Sequence, residues 1–135
     1  MSSFKLLSYY DHGKIRAGID VDGSVFNLEA ELSFHEPDTN IDGSMLDTAI
    51  KRWNELEPIL KKISISPSSP AYPIGDLKLA APLCNPGTIY CAGANYFDHA
   101  EEMGTKIDKK SIEPLFFLKS CGSIIGPGEN VKLVE

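Results

Sequence analysis

The feature that most constrains this chain is the run Ser66-Pro67-Ser68-Ser69-Pro70, at the centre of a segment from Ser64 to Pro73. Proline fixes φ and removes an amide donor, and serine hydroxyls compete for backbone hydrogen bonds, so no helix or strand continues through it. The segment therefore predicts a linker. It divides the chain into residues 1–72, a small unit with its linker, and residues 73–135, the start of a second domain. The fold class expected is α+β, a β-meander with a helix followed by further strands.

Upstream of the break, Lys5 to Tyr10, Ile15 to Val21 and Ser24 to Leu28 read as strands separated by Asp11-His12-Gly13 and Asp22-Gly23. Asp-Gly between two apolar runs is a strong hairpin signal. Asp20-x-Asp22-Gly23 with Glu31 resembles a calcium loop only superficially, because the glycine comes too early and further ligands are missing. Ser44 opens a helix with Asp47 three positions on, and Leu46, Ile50, Trp53, Leu56, Leu60 and Ile63 recur at helical spacing. That stripe predicts core packing, with Trp53 as a buried anchor. Pro58 predicts a kink, or two abutting helices, near Leu56-Glu57.

Downstream, Leu77 to Ala80, a turn at Pro86-Gly87 and the strand Thr88 to Ala92 lead into Gly93-Ala94-Asn95-Tyr96-Phe97-Asp98-His99-Ala100-Glu101-Glu102. Leu115 to Leu118 is a continuous apolar run, expected as a strand buried on both faces, with Lys119 at its end. Gly126-Pro127-Gly128 marks a turn and Val131 to Val134 a further strand.

A net charge of −6 without a basic run excludes a phosphate-neutralising surface. The three cysteines, Cys84, Cys91 and Cys121, fit neither a disulfide framework nor a zinc site, which points to reduced thiols and a cytoplasmic setting. Cys91, among apolar neighbours, reads as a small buried side chain. No apolar run approaches a membrane span. His12 and His35 lie in polar segments with no evident partner.

On a helix, residues 99 and 102 share a face, so Glu102 can orient His99 while the imidazole takes a proton. An isolated histidine is more often a hydrogen-bonded structural residue, and Asp98 and Glu101 have a capping reading. Both alternatives stand at the level of spacing.

Four ordered blocks carry a resemblance: Asn85 to Tyr96, His99-Ala100-Glu101-Glu102-Met103-Gly104, Glu113 to Lys119, and Ile125 to Gly128. Together they resemble the fumarylacetoacetate hydrolase family, and the first seventy residues resemble its variable N-terminal domain. The resemblance implies the beginning of that family's mixed β-roll, incomplete in this chain. It also implies an enzyme that hydrolyses a carbon–carbon bond in an acylpyruvate or other β-dicarbonyl oxo acid, or a related decarboxylase, isomerase or lyase. By that analogy His99 is the base on water, Glu102 its partner, and Lys119 a contact for substrate carboxylate. Magnesium or manganese would be held by a Glu-x-Glu pair and a later Asp, all beyond the segment matching Val131 to Glu135. The expectation is therefore the N-terminal portion of a metal-dependent enzyme, homodimeric by resemblance and inactive in isolation. The alternative is a non-enzymatic remnant or split subunit that associates with another polypeptide.

Overall fold

The computed structural model describes residues 3–93, 97–104 and 115–133. The chain forms two compact units, Met1–Asn85 with Ile124–Glu135, and Pro86–Ser123. In the first unit β1 (Phe4–Asp11), β2 (Lys14–Val21) and β3 (Ser24–Asn27) form an antiparallel meander, with β4 (Tyr72–Pro73) added beside β3. The register runs from Phe4 opposite Val21 to Asp11 opposite Lys14, and from Gly18 opposite Asn27 to Val21 opposite Ser24. Both hairpin turns are left-handed at their two central residues, with φ of 46° and 78° at His12-Gly13 and 52° and 86° at Asp22-Gly23. That geometry matches the right-handed twist of the flanking strands. The Asp20 carboxylate accepts from Gly23 N at 2.8 Å, so the acidic pair serves the turn.

Leu28 begins α1 (Leu28–His35), a helix that the strand pattern does not announce. Asn27 caps it by accepting from Ala30 N at 3.0 Å. Glu31 lies on its buried side beside Leu28 and Leu32, so the apolar stripe that would reveal the helix is interrupted by a carboxylate.

The long helical pattern is broken, but not at Pro58. α2 (Leu46–Ala49) ends in a 3-10 turn over Ile50–Arg52, and α3 (Trp53–Ile65) continues through the proline. Pro58 and Asn54 are both exposed, so solvent is at hand for the Asn54 carbonyl that loses its helical partner, and the helix is not divided at the proline. Trp53 lies on the same exposed flank, 42% accessible, and is not the buried anchor expected. Leu56, Ile59, Leu60 and Ile63 form the inward stripe instead, packing with Leu28, Leu32 and Leu46 against Ala17, Ile19 and Phe26 of the sheet. This is the core of the first unit.

Residues 73–85, assigned from the sequence to the start of a second domain, line the first sheet together with Tyr72. β4 sets Tyr72 opposite Val25 and Pro73 opposite Ser24. On the other edge, Tyr9 bridges Leu79, Tyr10 N donates to Lys78 O at 2.9 Å, and Ala80 N donates to Ser8 O at 2.8 Å. Both sheet edges are thereby covered.

The second unit holds β5 (Ile89–Gly93), α4 (Phe97–Glu102) and β6 (Leu115–Lys119). β5 and β6 form a two-stranded antiparallel ribbon in which Ile89 faces Lys119 and Gly93 faces Leu115. The apolar run of β6 is not buried on both faces among the described residues: Phe116 is 62% and Phe117 46% exposed. Val131 to Leu133 form no strand, and Val134 lies outside the described residues. Among the described residues, no helix is long and apolar enough to cross a membrane.

Asp47 does not cap the helix start, where Met45 takes the cap position without a side-chain bond. Its two oxygens accept from Cys84 N at 3.0 Å and Asn85 N at 2.8 Å. Asp47→Ala leaves both amides without this acceptor and is expected to cost about 1.5–3 kcal/mol. Urea unfolding should show a lower midpoint at constant slope, and an unchanged midpoint would remove Asp47 from that role.

Candidate functional site

The chemistry-bearing motif runs from the end of β5 (Ile89–Gly93) to α4 (Phe97–Glu102). Residues 94–96, including the expected Asn95 and Tyr96 of the turn, lie outside the described residues. Asp98 stands in the first turn of α4, where a carboxylate complements the helix N-terminal charge. Gly104, at φ 69°, closes the helix by donating its amide to Glu101 O at 2.9 Å. This is the left-handed termination for which glycine is best suited.

His99 and Glu102 are both within α4, three residues apart. The side chain of His99 lies outside the described part of the structure, and Glu102 is exposed. Lys119 is also exposed, at the end of β6 that faces Ile89. Antiparallel pairing therefore separates Lys119 from Gly93, the residue leading to His99, by four strand steps, about 14 Å along the ribbon. The first two expected site residues lie on one short helix, and the third stands at the opposite end of β5.

Both remaining histidines have carboxylate partners. His12 Nδ1 lies 2.7 Å from Asp11 Oδ1 at the exposed first hairpin, and His35 Nε2 lies 3.3 Å from Glu31 Oε2 in α1. The second pair has i,i+4 spacing, a signal present in the sequence once the helix is known. All three cysteines are free. Cys91 is half-buried, and Cys84 has its thiol pKa raised by burial, with the charges of Asp47 and Glu129 adding to the effect. Among the described residues, no three His, Cys, Asp or Glu side chains converge to hold a metal ion.

A cleft in the first unit, about 350 Å³ and lined by Glu36, Asp38, Thr39, Asn40, Glu55 and Ile59, is acidic at its rim. Arg52 pairs with Glu55 and Asn40, and Lys62 lies 3.3 Å from Glu36. Those contacts offset its charge.

The family description "Fumarylacetoacetate (FAA) hydrolase C-terminal" matches residues 88–135, the part that holds β5, α4 and β6. Residues 88–135 thus carry the C-terminal pattern of the fumarylacetoacetate hydrolase family. It is 34% identical over 122 residues to the oxaloacetate tautomerase YisK of Bacillus subtilis, covering 84% of this chain and 40% of that protein. It is 38% identical over 92 residues to the mitochondrial oxaloacetate tautomerase fahd2 of Xenopus laevis, covering 68% of this chain and 24% of that protein. A putative hydrolase of Burkholderia ambifaria is 33% identical over 132 residues, covering 96% of this chain and 40% of the relative. Among solved structures, the fumarylacetoacetate hydrolase of Exiguobacterium antarcticum superposes with a TM-score of 0.60 at 23% identity, covering 91% of this chain and 38% of that one. That likeness shows the fold. The chain thus spans 40% or less of the length of these relatives.

Thiol reactivity provides a check on the electrostatics. At mildly alkaline pH, Cys84 should alkylate more slowly than exposed Cys121, because burial and neighbouring carboxylates disfavour its thiolate. Mass-spectrometric mapping of timed iodoacetamide labelling tests the order, and equal rates would contradict the described environment of Cys84.

Proposed function

We propose that this chain carries the proton-transfer part of a fumarylacetoacetate hydrolase family enzyme acting on a small β-dicarbonyl oxo acid. The observation that carries the reading is the His99-x-x-Glu102 pair on a helix at the carboxyl end of β5, inside the segment that matches the family description. His99 is the base, and Glu102 orients the imidazole and stabilises its protonated form. Hydrolysis requires removal of a proton from water, and tautomerisation requires removal of one from the carbon between two carbonyls. One positioned base serves either reaction. The names of the relatives, oxaloacetate tautomerases and a putative hydrolase, support this class of substrate.

Family members are generally metal-dependent. The described residues do not supply a metal-binding set, so the roles assigned here are limited to proton transfer and charge recognition. In this reading Lys119 contacts a substrate carboxylate. Its position on β6 makes it a binding residue separate from the base.

In an active preparation containing this chain, with Mg²⁺ or Mn²⁺ supplied, oxaloacetate tautomerisation and acylpyruvate hydrolysis can be followed by enol absorbance. His99→Ala should lower turnover by about a hundredfold or more. A folded variant with unchanged turnover would reject the base assignment. Lys119→Met should raise KM several-fold with kcat nearly unchanged, the pattern of lost uniform binding. No change in KM would remove Lys119 from the substrate site.

The exposed apolar residues of β6 favour a second reading, in which the chain acts through association with another polypeptide. Sedimentation should then show concentration-dependent association without turnover; a well-folded, inert monomer at all concentrations would dismiss it.

A further inference from the structure

The Ser–Pro segment has a feature not explained by a simple linker role. Glu31 in α1 is completely buried, yet its carboxylate points to that segment, which is remote in sequence. Ser68 N donates to Oε1 and Oε2 at 3.0 and 3.1 Å, and Ser69 N donates to Oε1 at 2.5 Å. His35 Nε2 lies 3.3 Å from Glu31 Oε2 and 3.2 Å from Ser68 Oγ. Acid, imidazole and hydroxyl meet here, but both contacts converge on one ring nitrogen. A nucleophile relay uses both nitrogens, so the cluster is not assembled for acyl transfer.

Its geometry suits holding. Pro67 and Pro70 remove two amide donors, and the two amides between them are both directed to Glu31. The chain then enters β4, only two residues long and half proline, before Ile74 N donates to Gly23 O at 3.0 Å. So short a strand has little pairing energy of its own. Burial of an ionised carboxylate is tolerated only when charge-assisted bonds satisfy it, and the Ser68 and Ser69 amides supply those bonds.

We propose that Ser66 to Ile74 is a strap that opens and closes as one unit, latched by Glu31 with His35, and that the latch holds β4 over the edge of β3. Opening the latch uncovers the backbone of Ser24 and Val25.

Amide hydrogen exchange by NMR on the full chain tests the strap. In the unaltered protein the amides of Ser68, Ser69 and Ile74 should share one protection factor within about threefold, the mark of a common opening. Glu31→Gln keeps one acceptor oxygen for the Ser68 and Ser69 amides but removes the charge that strengthens both bonds and puts a donor at the second position facing Ser68 N, so it should speed exchange at all three by about tenfold or more, while Leu60 and Ile63 in α3 keep their protection. Acceleration at Ser68 and Ser69 with Ile74 unchanged would overturn the single-unit strap, as would no change at any of the three. Should Glu31→Gln fail to fold, His35→Ala is expected to accelerate the same three amides together by about threefold. The protection factors of the unaltered protein then decide, and unequal values overturn the proposal.

Discussion

Much of the irregular backbone in this protein is held by carboxylates that accept hydrogen bonds from main-chain amides. Asp20 closes the β2–β3 turn, Asp42 accepts from Ser44 N at 2.9 Å, and Glu129 accepts from Gly126 N at 2.9 Å. Over longer separations, Glu31 holds Ser68 and Ser69, and Asp47 holds Cys84 and Asn85. A charge-assisted bond to an amide is roughly twice as strong as a neutral one. Segments rich in proline and serine lack the ladder that would satisfy their donors, so these acceptors replace it. Part of the net charge of −6 is therefore structural, built into loop geometry.

The same interactions determine where the linker ends. Once Glu31 has fixed Ser68 and Ser69, the chain covers the β3 edge through β4. It next lines the β1 edge at Lys78 to Ala80, and then meets Asp47 at Asn85. The core of α1, α2 and α3 on the meander supplies the apolar burial. The carboxylates direct the chain that leaves it. A change in either long-range acceptor acts beyond its own helix, since the affected amides belong to segments with few other restraints.

The parts of the fold governed by local chemistry were legible in the sequence. Asp22-Gly23 defines its hairpin because left-handed φ at both residues is what the turn requires, and the helical spacing of Leu56, Leu60 and Ile63 marks the inner face of α3, to which the structure adds Ile59 in place of the exposed Trp53. Elements controlled by non-local partners were not. α1 was hidden because a buried Glu31 interrupts its apolar face, and only contact with Ser68 and Ser69 explains that carboxylate. Pro58 suggested a kink because its missing bond is visible in sequence, whereas the solvent exposure that makes the loss tolerable is not. The continuous run Leu115 to Leu118 indicated a strand correctly, but strand propensity says nothing about what covers it.

The candidate site divides along the same line. The spacing of positions 99 and 102 within α4 is local and belongs to helix periodicity. The location of Lys119 relative to that pair depends on the direction and register of strand pairing. A parallel β6 would have brought its Lys119 end beside Gly93, whereas the antiparallel register pairs it with Ile89. A substrate small enough to meet a helix-borne base at one end of β5 meets a cation from the other end only if the connecting backbone or a further surface brings the lysine closer. In the proposed reading, proton transfer belongs to α4 and carboxylate recognition to Lys119 at the far end of the ribbon. That separation is why loss of the base should appear in turnover and loss of the lysine in substrate affinity.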